Sequence, residues 1–270
     1  MMHNPDIMIN APSVFAEEPV AAVSRHYKFI PTLQLIEDFR KLGWEVNRAK
    51  QQKSRTDPTH TKHMVVLRNA SLANKINGLE IELLILNSHN RTAAFNFMLG
   101  LFRFICLNGL VVSDKVFDSI RLRHIGGYNF QDLEELTQTI VDNVPSIVDT
   151  ITRMQTVTLT DDQQMEFALK AVATRFTEYV SDRGKIDVPA IKAAINMPEL
   201  LTPYRDEDND PTVWAVYNRI QEKIIKGGFQ RIGTKDNQSK RVRPVTSIKL
   251  DVDVNKTLWE MANGYALSGV

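Results

Sequence analysis

The most constraining feature of the sequence is a long, mostly apolar run at residues 81–107, broken by the polar turn Asn87-Ser88-His89-Asn90. Residues 81–86 before the turn are typical of a strand. After the turn, apolar residues recur at helical spacing across 92–107, and further apolar residues cover the opposite side. A helix that is apolar nearly all round belongs inside a core. We therefore predict a long buried helix at 92–107 around which the fold is organised.

The segments around this run predict a sheet. A helix is predicted at 33–42, ended by Gly43, because glycine readily adopts the conformation that closes a helix. Segments rich in β-forming residues predict strands at 44–53, 61–69 and 79–87, with further strand candidates at 109–112 and 117–124. Neighbouring strands with short connections pair antiparallel.

From residue 130 onwards the apolar spacing becomes that of helices. Two helices are predicted to begin at Asp132 and Asp161, and a third spans 187–195. An acidic loop at 199–211, a helix at 213–226 and a basic loop at 229–244 follow. The last predicted elements are a strand at 245–250 and a helix at 254–267. The predicted fold class is therefore α+β, an antiparallel sheet with a long buried helix followed by a mostly helical C-terminal half. We divide the chain into a flexible N-terminal tail at 1–23, an α+β core domain at 24–127 and a mainly helical region at 128–270.

Composition excludes several classes of protein. A single cysteine, Cys106, cannot form an internal disulfide, and no segment approaches the ~18 apolar residues of a membrane span. The first residues lack the basic start and apolar run of a signal peptide. We expect a cytoplasmic protein with no membrane contact.

The net charge of +1 hides a polarised distribution. Residues 40–68 contain eight Lys and Arg against two acids, and residues 226–249 contain seven against one. Between them, residues 125–210 contain sixteen acids against seven bases. Blocks of like charge steer charged partners, so the two basic blocks indicate contact with nucleic acid.

No arrangement of residues predicts catalysis or metal binding. His60 and His63 would point to opposite faces of a strand, and Cys106 lies within an apolar run, where a thiol behaves as a small hydrophobe. We expect no metal and no cofactor, and a non-enzymatic role is favoured. The turn at 87–90 has two interpretations, a structural turn or a site where His89 and the free N–H groups of a helix bind phosphate.

Several segments carry a resemblance to a known family: the turn at 87–90, residues 100–114 (GLFRFICLNGLVVSD), Ser24-Arg25-His26-Tyr27, Leu201-Thr202-Pro203-Tyr204-Arg205 and residues 214–228. They resemble an uncharacterised family of phage- and plasmid-encoded proteins that contain a domain of unknown function. The resemblance implies a bacterial host and no particular activity. By order of elements alone, the chain is also similar to phage single-strand annealing proteins.

We therefore expect a non-enzymatic protein that binds single-stranded DNA and promotes strand annealing or recombination. Such a protein can act as a homo-oligomer. Flexible basic segments suit sequence-independent binding of a phosphate backbone. The alternative is an interaction protein that counters a host defence system or modifies a host complex, with a host or phage protein as its partner. The candidate nucleic-acid-binding residues are Arg48, Lys50, Lys53, Arg55, Lys62, Arg68, His89, Arg121, Arg123, Lys240, Arg241 and Arg243.

Overall fold

The computed structural model describes residues 1–21, 29–72, 79–90, 92, 95–103, 108–111, 129–233 and 238–268. The chain divides into two compact units, Met1–Pro145 and Ser146–Val270. The predicted boundary near residue 127 lies outside the described residues, and the division falls at Pro145. This proline stands inside a continuous helix, where it removes one backbone donor.

The first unit contains a five-stranded antiparallel sheet whose strands pair in sequence order. They are β1 Trp44–Gln51, β2 His63–Asn69, β3 Leu79–Asn87, β4 Asn96–Arg103 and β5 Asn108–Val111. The strands predicted at 44–53, 61–69, 79–87 and 109–112 are confirmed, whereas the candidate at 117–124 lies outside the described residues. β2 and β3 are buried along most of their length, as expected of central strands rich in Val, Leu and Ile.

The long buried helix predicted at 92–107 is wrong. Residues 96–103 form β4, which pairs with β3 from Leu86↔Asn96 to Leu79↔Arg103. A short run that is apolar on every side fits a buried strand as well as a buried helix, so its periodicity does not separate the two. The aromatic residues and Gly100 in this run favour a strand, whose backbone pairs with β3 along one edge and, from Gly100 to Arg103, with β5 along the other.

Two helices near the N-terminus cover part of the sheet's core. They are α1 Asn4–Asn10 and α2 Thr32–Lys41, with a short 3₁₀ turn at Pro12–Phe15. Ile7 and Val14 are fully buried, so the flexible tail predicted at 1–23 is wrong for residues 1–21. The predicted helix at 33–42 is confirmed by α2, whose Phe39 packs edge-on against Trp44 and Phe97.

The helix α3 Phe130–Thr156 contains the division between the units. Its first half buries Leu133, Leu136 and Ile140, which share one helical face. Within the first unit, the Trp44 indole N–H donates to Thr137 Oγ1 at 3.1 Å. This bond and the apolar face fix the start of α3 against β1.

The second unit is mainly helical, as predicted. Its elements are α4 Asp161–Arg175, α5 Val188–Ala194, α6 Met197–Leu201, α7 Val213–Lys226, a hairpin of β6 Gln230–Ile232 and β7 Ser239–Arg241, and α8 Ile248–Ser268. The helix α7 is buried over most of its length, and its Tyr217 packs edge-on against Trp259 of α8. The α+β fold class is confirmed by the two units together.

Two predictions at the end of the chain are wrong. The segment 229–244 is not a plain loop, because it contains the hairpin β6–β7. No strand forms at 245–250, where residues 248–250 are instead the start of α8. Ser247 begins this helix, because its Oγ accepts from the backbone N–H of Leu250 at 3.3 Å and so satisfies a free donor.

No helix in the described ranges has both the length and the apolar content needed to cross a membrane.

Candidate nucleic-acid interface

Arg48 and Arg68, both predicted to bind phosphate, are held by acids inside the sheet. Glu82 on β3 is fully buried, and its carboxylate accepts from Arg48 Nη2 at 2.7 Å and from Arg68 Nε and Nη2 at 3.0 and 2.9 Å. Arg68 also contacts Glu80 at 2.6 Å. Charge-assisted bonds of this kind are strong and directional. These two arginines therefore form ion pairs between strands, and the carboxylates neutralise much of their charge.

The remaining cations of the first basic block lie around the β1–β2 connection. Lys53 and Arg55 are exposed, while Lys50 and Lys62 are partly exposed. Hydrogen bonds of Asp57 hold the shape of this connection. Its Oδ1 accepts from the backbone N–H groups of Thr59 and His60, and its Oδ2 lies 2.8 Å from His60 Nδ1. This part of the block remains able to contact an external anion.

His89, the other candidate in the first unit, is fully buried. Its ring lies 5.0 Å from the ring of His63 and 4.7 Å from that of Phe29. The backbone N–H of His89 donates to His60 O at 3.1 Å. In the described residues 92 and 95–103 the turn is followed by β4 and by no helix, so the helix N-terminus that the phosphate-binding interpretation requires is not found there. The turn is structural, and His89 lies below the surface that a DNA strand could contact.

His63 is the centre of a buried hydrogen-bond network. Its Nδ1 lies 3.0 Å from both Thr61 O and Ser13 Oγ, and its Nε2 lies 2.9 Å from Thr32 Oγ1. Because Thr61 O is a carbonyl and can only accept, Nδ1 carries the proton and Nε2 accepts from Thr32. Burial lowers the pKa of His63 to about 4, so the ring is neutral at pH 7.

The partners of His63 extend this network across the first unit. Thr32 Oγ1 accepts from Asn87 Nδ2 at 3.0 Å, and the Ser13 hydroxyl donates to Gln51 Oε1 at 2.8 Å. The network therefore joins the 3₁₀ turn Pro12–Phe15, α2 and three strands. Its consistent donors and acceptors indicate a structural role for these residues.

The second unit presents the other group of candidates on the hairpin β6–β7 and just after it. Lys240, Arg241 and Arg243 are all exposed. Arg241 Nη1 donates to Gly228 O at 2.6 Å, a neutral acceptor that leaves its charge in place. Arg121 and Arg123, the last two candidates, lie outside the described residues.

The base of the hairpin is fixed by two further arginines. Arg175 donates to the carbonyl oxygens of Ile224 and Arg243, while Arg231 contacts Glu178 at 2.6 Å and lies over the Phe176 ring. Burial, together with the charge of Arg231, lowers the pKa of Arg175 to about 10, which keeps it protonated at pH 7. The hairpin is therefore a fixed arm with cations on it.

Close approach at Gly227 also holds the hairpin against the end of α7. This glycine has φ 73°, and a Cβ on it would lie 2.3 Å from Val242 O. Only glycine fits this position without displacing the backbone. Gly227 and Gly228, which follow the last residue of α7, thus also contact the segment after β7.

Two residues at this surface were missed by the sequence analysis. Tyr204 is 58% exposed, and its ring covers the buried Lys223, whose Nζ lies 4.4 Å from the ring centroid. Arg175, the other residue missed, stands in an acidic stretch of sequence. The segment 201–205 carried a family resemblance, which was the only signal that could have singled out Tyr204.

Metal binding finds no support in the part of the chain that the structure describes. Within these ranges no three His, Cys, Asp or Glu side chains converge as a set of ligands would.

Residues 19–259 match the model of a family described as "Domain of unknown function (DUF932)". The chain is 34% identical to the UPF0380 protein YafZ and 33% identical to the UPF0380 protein YfjQ, both of Escherichia coli strain K12. Each comparison spans 257 residues, which is 93% of this chain and 86% of the relative. The chain belongs to the DUF932 family. The predicted membership of an uncharacterised family is thereby confirmed.

No solved structure matches the chain. The DUF932 segment covers parts of both compact units, and it contains every candidate residue from Arg48 to Arg243. The sheet, His63 and the basic hairpin therefore lie within the DUF932 segment of this chain, whereas Ser13 of the His63 network precedes that segment.

Proposed function

We propose that this protein binds single-stranded DNA without sequence recognition, and that the hairpin β6–β7 is its principal contact with the phosphate backbone. The proposal includes promotion of strand annealing or recombination by a homo-oligomer. The observation that carries it is the exposure of Lys240, Arg241 and Arg243 on one fixed arm. The segment 229–244 contains five Lys and Arg against one acid, so its field is positive.

The ion pairing and exposure of the other candidate cations also favour the hairpin as the DNA-binding surface. Arg48 and Arg68 are engaged by Glu82, whose carboxylate would compete with any phosphate. Lys53 and Arg55 are exposed and offer a second, smaller group of contacts in the first unit. Exposed lysine and arginine side chains on a hairpin, and not on a recognition helix, favour contact with the phosphate backbone of DNA over recognition of its bases.

Charge reversal on the hairpin, at Lys240, and just after it, at Arg243, should weaken DNA binding. We expect Lys240→Glu with Arg243→Glu to reduce affinity for an oligothymidine by about tenfold or more at low salt. Each lost phosphate contact should also reduce the slope of log affinity against log salt by about 0.7. Arg241 is left unchanged, because its bond to Gly228 O shapes the hairpin. Fluorescence anisotropy over a salt series measures both quantities.

Arg183→Glu with Lys185→Glu is the matched control. These two cations are exposed in the same unit but lie on the turn 181–185 and not on the hairpin. The control makes the same change in net charge, so it separates a local contact from a general loss of attraction. Equal effects of the two pairs, or a wild-type protein that binds no oligonucleotide at low salt, would count against the proposal.

One observation favours the alternative function, an interaction protein. Asp206, Glu207 and Asp210 are exposed within a short acidic segment. Its shape is held by Arg205, which pairs with the buried Glu222. A fixed group of acids can imitate the charge of DNA towards a DNA-binding partner, including a host defence protein. A protein that binds no DNA, and whose binding to a host protein is lost on Asp206→Lys with Glu207→Lys, would have this function.

A further inference from the structure

Tyr204 is an exposed aromatic residue whose ring is supported from one side. More than half of the residue is accessible to solvent, at 58%. One ring face lies over Lys223 Nζ, 4.4 Å from the centroid, and Lys223 itself is only 1% exposed. Solvent therefore reaches the ring mainly from the side opposite the ammonium group. A cation under an aromatic face attracts the ring electrostatically and holds its plane.

Lys223 is fixed in turn, so the support beneath the ring is rigid. Its Nζ donates to the carbonyl oxygens of Glu199, Leu200 and Thr202 at the end of α6. Burial lowers the pKa of Lys223 to about 8, which leaves the group mostly protonated at pH 7. An ammonium group with three acceptors has little freedom to move. Tyr204 thus has the fixed orientation that a binding platform needs.

The ring also lies beside the basic hairpin. A Cβ placed on Gly228 would be 3.8 Å from Tyr204 Oη, and the carbonyl oxygen of this same glycine accepts from Arg241. Two of the nearby acids are engaged, because Glu222 pairs with Arg205 and Lys226, and Glu199 Oε2 accepts from the backbone N–H of Gln230. Asp206 and Glu207, which follow Arg205 in the chain, are exposed. An aromatic face and exposed cations therefore occupy one continuous surface of the second unit.

We propose that the exposed face of Tyr204 stacks on a base of the single strand whose phosphates contact the hairpin. This inference rests on the proposed function and adds the reason for a preference for single strands. Every base has a flat face, so stacking on an aromatic ring tolerates any sequence. In a duplex both faces of each base are already covered by neighbours, so Tyr204 has nothing to stack on. A phosphate-binding arm alone would not make this distinction.

The test compares ring variants of the full chain on three probes: an oligothymidine, an abasic oligonucleotide of the same length, and a duplex. Tyr204→Leu should weaken binding of the oligothymidine about tenfold or more and leave binding of the abasic strand unchanged. Tyr204→Phe and Tyr204→Trp keep a ring over Lys223 and should bind the oligothymidine as well as the wild type. Phe130→Leu, at an exposed ring near Lys41 in the first unit, is the matched control and should have no effect.

The outcomes separate this inference from the function on which it rests. If Tyr204→Leu binds the oligothymidine normally while reversal of the hairpin charges abolishes binding, stacking is wrong and the proposed function stands. If Tyr204→Leu weakens all three probes equally, the ring shapes the hairpin and does not contact a base. If the wild type binds no probe at low salt, both proposals are wrong. Unchanged binding of the abasic strand by Tyr204→Leu shows that this variant is folded.

Discussion

Replacing Glu82 by alanine is expected to lower the free energy of unfolding of the first unit by about 3 kcal/mol. Glu82 is fully buried on β3, and its two oxygens receive three hydrogen bonds from Arg48 and Arg68. Its removal leaves two guanidinium groups side by side without the carboxylate between them. Chemical denaturation followed by circular dichroism measures the change.

The expected value lies at the lower end for a broken buried ion pair, for two reasons. The Arg48 side chain is 41% exposed, so water replaces part of the lost interaction. Arg68 keeps its contact with Glu80 at 2.6 Å. Glu82→Gln retains an acceptor of the same shape and should cost about half as much. Arg48→Met with Arg68→Met, Glu80→Gln and Glu82→Leu should recover most of the stability, because neutral residues of similar volume then replace all four charged groups.

An exposed ion pair provides the control for this experiment. Lys249 and Asp253 contact each other on α8 with 74% and 51% of their side chains exposed. Asp253→Ala should change stability by less than about 0.5 kcal/mol, because surface pairs contribute little. A Glu82→Ala protein as stable as Asp253→Ala would mean that Arg48 and Arg68 are not held by Glu82 in solution. Both arginines would then be able to contact the phosphates of DNA.

Local signals in the sequence were sufficient for the elements whose ends carry a cap or a glycine. Gly43 ends α2 with φ 81°, and Thr212 begins α7 by accepting from the N–H of Ala215. Such contacts span only a few residues, so they are visible in a single sequence. The same reasoning applied to Ser247 identifies the start of α8, where the prediction of a strand at 245–250 is wrong.

The error at 92–107 has a different origin. Whether an apolar run becomes a strand or a helix depends on the partner that receives its backbone hydrogen bonds. Here the partner is β3, whose residues Leu79 to Leu86 pair with β4. The spacing of apolar residues does not identify the strand with which β4 pairs. The aromatic residues and Gly100 favour a strand over a helix, but they do not identify its partner either. The buried N-terminal segment was missed for a similar reason, because Ile7 and Val14 have no periodic neighbours.

The candidate interface was partly predictable, since charge is a property of composition whereas ion pairing depends on the fold. The two basic blocks were visible in the sequence, but the carboxylate that neutralises Arg48 lies 34 residues away on another strand. The hairpin arm depends on Arg175, which stands in an acidic stretch and binds Arg243 O across 68 residues. Pairing at such distances follows from tertiary packing alone.

Acidification should destabilise the first unit through His63, by about 3 kcal/mol between pH 6.5 and pH 4. The pKa of this histidine is lowered to about 4 in the folded protein, whereas its ordinary value in an unfolded chain is 6.5. The folded state therefore excludes a proton that the unfolded state binds once the pH falls below 6.5. Stability from this residue is complete above pH 6.5, falls by about 1.4 kcal/mol per pH unit, and levels off below pH 4.

The direction follows from the partners that surround the ring on each side. Nδ1–H faces Thr61 O and Ser13 Oγ, Nε2 faces the Thr32 hydroxyl, and the ring of His89 lies 5.0 Å away. Among these contacts there is no carboxylate that would favour an imidazolium ion. A proton on Nε2 would also remove the acceptor that the Thr32 hydroxyl uses. Protonation is thus opposed both by burial and by the hydrogen bonds.

The measurement is the free energy of unfolding of wild type and His63→Gln at intervals from pH 7 to pH 4. Other groups titrate in this range, so the difference between the two proteins isolates His63. Glutamine can donate and accept in place of the ring but does not titrate. The wild type should be the more stable protein at pH 7, and its advantage should shrink by about 3 kcal/mol by pH 4. Two parallel curves would show that His63 is protonated equally in both states, contrary to the buried network described here.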